Sequence, residues 1–139
     1  MAVRYFALIF GIFYTLVALL GFLPFALSEP TPAVDLTVDT LYGDLLGLFP
    51  VNIIHTFVHL LIGLWGLIAY RSFDASRTYA RFNAILFAIL AIMGVIPGLR
   101  TVFGLIPLYS HDIWLHAASA LLAGYFGYVY APERREEAV

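Results

Sequence analysis

The chain has no cysteine, no lysine and little charge of either sign. Only 12% of its 139 residues are charged, about half of the roughly 25% found in water-soluble chains. Without thiols there is no disulfide scaffold. Seven scattered arginines and no lysine give no basic patch for a nucleic-acid backbone, which excludes a nucleic-acid binder. The scarcity of charge also excludes a soluble enzyme. What fills the chain instead is apolar: 63% of residues are hydrophobic and the mean hydropathy is +0.94.

The charged residues leave four blank stretches, between Arg4 and Glu29, Asp44 and Arg71, Arg81 and Arg100, and Asp112 and Glu133, which hold 88 of the 139 residues. Each is long enough for the roughly 17–25 residues a helix needs to cross a bilayer. In lipid every backbone N–H and C=O needs an internal partner, and these continuous apolar runs do not alternate as barrel strands do. The expected fold is therefore an all-α membrane protein with four transmembrane helices, at about 5–27, 51–70, 79–96 and 111–130 of one domain, 1–139. The first run is longer than the apolar region of a secretory signal, about 7–15 residues, and reads as a permanent helix. Arg4, Arg71, Arg77, Arg81, Arg134 and Arg135 fall on one side and Arg100 alone on the other. Positive residues stay cytoplasmic, so both termini are expected inside. The acidic loop 28–50 (Glu29, Asp35, Asp39, Asp44) then faces out, with Arg100 on the neighbouring loop as a partner for one of its carboxylates. Thr37 to Phe49 reads as a short amphipathic piece on the outer surface. Tyr5, Trp65, Tyr70, Tyr79, Trp114, Tyr128 and Tyr130 fall mostly near span ends, as interfacial anchors do.

A two-helix unit is used twice. Gly47-Leu48-Phe49-Pro50-Val51 before the second span returns as Gly104-Leu105-Ile106-Pro107-Leu108 before the fourth, and Phe57-Val58-His59 returns as Trp114-Leu115-His116. Gly21 to Pro24 likewise resembles Gly94 to Pro97. The two units share one orientation, as parallel repeats about an axis along the membrane normal. Pro50 and Pro107 suit helix starts, where a missing N–H is harmless.

Specificity resides in histidine and aspartate. His55 and His59 share one face of the second helix at i and i+4, and Asp112 and His116 share one face of the fourth. The repeat aligns His55 with Asp112 and His59 with His116, so four groups should converge in two layers about 6 Å apart. Ionisable groups at that depth face the bundle interior and have named partners. Small residues follow them: Gly63 and Gly66 on one helix, Ala120, Ala123, Gly124 and Gly127 on the other. This pattern predicts helices two and four as the central seam, flanked by one and three, or else room for a flat ring. Three readings stand. The groups are interhelical glue; or His55, His59, Asp112 and His116 bind zinc, copper or iron, with His59 and His116 alternatively serving as axial ligands of a tetrapyrrole, haem or chlorophyll; or they form an intramembrane metalloenzyme, redox or proton-relay centre. His111 belongs to the outer rim, with Ser110 or Asp112 capping its helix and Asn52 capping the second. Tyr14, Thr15 and Asn83 read as packing with local hydrogen bonds.

At these residues the chain resembles a widespread bacterial family of small four-helix membrane proteins classed as a domain of unknown function. Leu48-Phe49-Pro50-Val51-Asn52 with His55 and His59, and Asp112-Ile113-Trp114-Leu115-His116, carry the resemblance. It implies a fold and a location, and no activity. The expected function is a non-catalytic accessory subunit of a larger membrane complex, or a homo-oligomer, in the lipid bilayer of a bacterial inner membrane or of a thylakoid.

Overall fold

The computed structural model describes residues 1–130; Arg134 and Arg135, on which the expected orientation of the C-terminus rests, lie outside them. Four helices carry the chain: α1 (Ala2–Gly21), α2 (Ile53–Ala69), α3 (Phe73–Val95) and α4 (His111–Gly124), the last continuing through a π turn at Tyr125–Val129. Two of them, α1 and α3, are long and apolar enough to cross a membrane, whereas α2 has 17 residues.

Helix borders differ from the apolar windows for local reasons. The first window runs to Leu27, but α1 stops at Gly21, and a single 3-10 turn follows at Pro24–Ala26. Proline has no N–H to continue the ladder. The third window begins at Tyr79, yet α3 starts at Phe73. There the Ser72 hydroxyl accepts the Ala75 N–H at 3.1 Å, and Asp74 sits in the first turn, where negative charge is favoured. The apolar window leaves Arg77 outside the span, but a helix end accommodates it. Pro50 does not open α2; it lies in a strand, and the helix begins three residues later, at Ile53.

Buried positions on α1 (Val3, Phe6, Phe10, Tyr14, Ala18) recur every three or four residues, as one face of a helix must. The opposite face is equally apolar: Tyr5, Ile9, Leu16 and Leu19 are exposed, as are Ile85, Ile89 and Ile92 of α3. Ile9 is 67% and Leu121 of α4 77% exposed.

Glycine sets how the helices pair. A Cβ on Gly11 would meet the Leu67 backbone nitrogen at 2.8 Å, and one on Gly66 would meet the Ala7 carbonyl at 2.8 Å, while Gly63 lies against Thr15. These contacts zip α1 and α2 into an antiparallel hairpin. Gly94 against Leu108 and Ile113, and Gly127 against Arg81, do the same for α3 and α4. The expected seam of helices two and four is therefore not the tight one. Gly63 and Gly66 face α1, and the hairpins meet largely through aromatic residues of α1 and α3, with Tyr14 and Phe10 of α1 at 5.1 and 5.8 Å from Phe87 of α3. Large side chains on those two helices fill the middle because glycines let their partners lie close.

At the end of the bundle opposite Arg4, the 22–52 connection forms a three-stranded antiparallel sheet, β1 (Leu27–Ser28), β2 (Gly43–Leu45) and β3 (Phe49–Val51), in that order. Leu45 pairs with Leu27 on one side and Phe49 on the other. The amphipathic piece expected over Thr37 to Phe49 is thus replaced by strands and turns. Its turn carries positive φ at Leu46 and Gly47, and the second connection carries it at Phe103 and Gly104. The two connections are stitched together. Gly104 accepts the Thr37 N–H at 2.8 Å, and the Tyr42 and Tyr109 hydroxyls meet at 2.7 Å. Burial, followed by the bond to Tyr42, holds the Tyr109 phenol protonated well above the usual tyrosine range.

At the other end, arginines satisfy helix carbonyls. Arg4 donates to the Tyr70 carbonyl at 2.7 Å, closing α1 onto the end of α2. Arg77 and Arg81 both donate to the Gly127 carbonyl, at 3.2 and 2.9 Å. Cations belong at helix C-termini, where carbonyls lack partners. Arg100 does not find a carboxylate: among the described residues no arginine lies within 4.0 Å of one. Asp44 instead accepts the Thr31 N–H at 2.9 Å.

Candidate metal centre

Asn52 fixes the start of α2. Its side-chain oxygen accepts the His55 N–H at 3.0 Å, and its amide donates to the carbonyls of Val38 and Leu105 at 2.8 and 2.7 Å. One fully buried asparagine therefore caps the helix and ties it to both connections. On α4 the expected caps are absent: Ser110 makes no side-chain cap bond and adopts φ +59°, while Asp112 points to the centre. His111 does lie at the exposed rim, where it accepts the Trp114 indole N–H at 2.9 Å.

All four predicted residues are brought together, with His55 as the hub. Its ring lies 4.3 Å from that of His59, one turn along α2, and 5.8 Å from that of His116 on α4. His55 Nε2 stands 3.7 Å from Asp112 Oδ2. Their side chains are 1–3% exposed. His55, His59 and His116 each offer a nitrogen, and these three atoms lie within 4.8 Å of one another. Nitrogens about 2.0–2.1 Å from one tetrahedral ion stand about 3.4 Å apart, so the widest pair must close by on the order of 1 Å, a side-chain rotation rather than a shift of the helices. Asp112 lies beside this trio as a neighbour of His55.

The polar atoms here are short of partners. Both nitrogens of His55 and of His116, Nε2 of His59 and Oδ2 of Asp112 are buried without a hydrogen bond. Buried polar atoms are normally paired, because an unpaired one forfeits its hydration. Each neutral imidazole carries one N–H and one lone pair, so the three rings can turn three lone pairs toward a cation, for which neutral imidazole and carboxylate are usual ligands.

The surroundings are aromatic and tight. Phe87 stacks on His116 at 5.4 Å, and the Tyr14 ring lies 5.2 Å from His59. Tyr14 does not bond locally as expected: its hydroxyl meets that of Ser119 on α4 at 2.7 Å, both buried. Asn83 does bond locally, donating to the Tyr79 carbonyl at 2.8 Å, while Thr15 Oγ1 has no partner. Ser119, one turn beyond His116, is the polar neighbour that sequence reasoning missed, although its i+3 spacing marks the same face. A cavity of about 140 Å³ adjoins the three histidines and another of about 120 Å³ adjoins His59 and Asp112. The small residues that suggested a slot for a flat ring are occupied by neighbouring helices: Gly63 and Gly66 by α1, Gly127 by α3.

The family model described as Domain of unknown function (DUF4383) matches residues 4–129. No curated protein and no solved structure matches the chain. The match takes in all four helices and every residue of the histidine–aspartate cluster, and the chain belongs to the DUF4383 family, a domain of unknown function.

Proposed function

We propose that the protein is a four-span component of a bacterial inner membrane, or of a thylakoid, with both termini cytoplasmic, and that its buried centre holds one transition-metal ion. Apolar side chains on the outward faces of α1, α3 and α4 support a lipid surround, since a soluble bundle carries polar residues there. The arginines at one end, Arg4, Arg71, Arg77 and Arg81, support that end as the cytoplasmic one. The matching left-handed turns at Leu46-Gly47 and Phe103-Gly104, 57 positions apart like the two sequence motifs, support the tandem repeat.

The observation that carries the metal reading is the meeting of three buried imidazoles within 4.8 Å, with a carboxylate beside them. The donor set suits zinc, copper or iron. A single ion fits the space better than a tetrapyrrole, because the adjoining cavity, about 140 Å³, is well below the roughly 300–1,000 Å³ of sites for larger ligands. The role is that of a non-catalytic, metal-stabilised accessory subunit or homo-oligomer. The metal ties α2 to α4, which the small residues do not clamp directly.

The test is elemental analysis of protein purified in detergent without added chelator. One equivalent of zinc, copper or iron, lost in a His59→Ala, His116→Ala double variant that remains helical, is the expected result. Metal-free protein that does not take up added zinc overturns the reading, and a haem Soret band overturns its preference for a bare ion.

A further inference from the structure

The proposed metal would not be sealed off. The cavity of about 140 Å³ lies between α2 and α3 under the second connection, with His55, His59 and His116 on its wall. The rest of its wall is hydrocarbon: Val58 and Ile62 from α2, Leu86 and Leu90 from α3, and Leu108 from the connection. Apolar cavities of about 150 Å³ stay dry and admit benzene or xenon. The unpartnered nitrogens of His55 and His116 bring the one reactive feature to this chamber.

From this juxtaposition we propose that the chamber between α2 and α3 binds a small, uncharged, apolar molecule of the dioxygen or nitric oxide class and presents it to the histidine-held metal. This inference rests on the metal reading for its second half alone; the chamber is a property of the protein without metal. Size and polarity define the class. The volume takes a molecule of a few heavy atoms. An anion would have to shed its water against leucine and valine, with no cation but the metal itself to compensate. A neutral diatomic reaches the site from the bilayer without that penalty.

The experiment has two arms. Xenon, which needs no metal, is introduced under pressure into crystals of the full chain; the expected result is one xenon atom beside Leu86 and Val58. Leu86→Trp, which fills the chamber from its rim, should abolish it and leave metal content unchanged. Val58→Phe serves as the second filling variant should Leu86→Trp fail to fold. In the other arm, protein loaded with ferrous iron is exposed to nitric oxide, with and without azide. Nitric oxide should produce a new electron paramagnetic resonance signal that Leu86→Trp loses at least tenfold, while azide added beforehand should not diminish that signal. No xenon in the chamber overturns the inference whatever the metal content. Xenon bound, with iron present and silent to nitric oxide, overturns the link to the metal. Xenon bound to protein that retains no iron overturns the metal reading and that link together, with the chamber upheld.

Discussion

His55 Nε2 lies 3.7 Å from Asp112 Oδ2, joining the first turn of α2 to the first turn of α4 across the middle of the molecule. The separation is too long for a hydrogen bond and short enough for two ligands of one ion, or for an ion's ligand and the carboxylate that orients it. Asp112→Asn keeps the shape and removes the negative charge. Zinc affinity should then fall about 10–100-fold, as when carboxylate partners of metal-bound histidines are lost. Chelator competition in detergent measures it, and an unchanged dissociation constant would remove Asp112 from the site.

Without metal, the same pair should behave as mutually dependent polar groups. His55→Leu takes away the polar group nearest the buried Asp112 carboxyl, a 3.7 Å contact rather than a hydrogen bond, and the loss should be about 1 kcal/mol, the low end of the cost of isolating a buried polar group. Changing Asp112 to leucine as well should return part of that loss, because two apolar side chains leave nothing unsatisfied. Chemical unfolding of the metal-free single and double variants provides the cycle. Additive losses would mean that the two groups do not interact.

Metal binding should weaken as pH falls. Protons compete for the same imidazole lone pairs, and an ion held by three histidines must displace them all. Zinc retention measured by dialysis against buffers of decreasing pH should drop steeply, and should drop less steeply in His116→Ala, which has one imidazole fewer. A pH-independent affinity would place the metal elsewhere.

Tyr109 gives an alkaline signature in the connections between the helices. It is 4% exposed, bonded to Tyr42, and its phenol is held protonated above the ordinary range. The folded chain thus holds this proton more firmly than the unfolded chain. Its contribution is complete below about pH 10, where an unperturbed tyrosine titrates, and is lost as pH rises toward the folded value. Thermal unfolding should show that alkaline loss in the native sequence and a flatter profile in Tyr109→Phe. Parallel profiles would refute it.

Hydropathy and spacing made much of this molecule legible. The i, i+4 pairs at His55/His59 and Asp112/His116 needed only the helical repeat to place them on two faces, and the repeated Gly-x-x-Pro motif aligned those faces. Helix partners were not legible. Gly63 and Gly66 follow His59 on a similar face, and sequence cannot say that α1, with Gly11 and Thr15, fills the space before α4 arrives. The strands at Gly43–Leu45 and Phe49–Val51 escaped notice because three-residue strands have no period to read. Tyr14 and Ser119 lie 105 positions apart, beyond any local pattern.

The close approach of α1 and α2 should make Gly66 far less tolerant than Gly98. A Cβ on Gly66 would lie 2.8 Å from the Ala7 carbonyl oxygen, 2.8 Å from Gly11 Cα and 2.9 Å from the Tyr79 hydroxyl. Two of these are backbone atoms, which cannot swing aside, so the hairpin must open to admit a methyl group. Gly66→Ala should destabilise the fold by about 1–3 kcal/mol, as overpacking does. Nothing lies within 4 Å of a Cβ on Gly98, and alanine there should be neutral or slightly stabilising through the unfolded state. Unfolding in mixed detergent distinguishes the two variants. Because the opened hairpin carries His55 and His59 on α2, Gly66→Ala should also lower zinc affinity, while Gly98→Ala leaves it intact. Equal effects of the two substitutions on stability and zinc would mean that the α1–α2 contact does not set the position of the histidines.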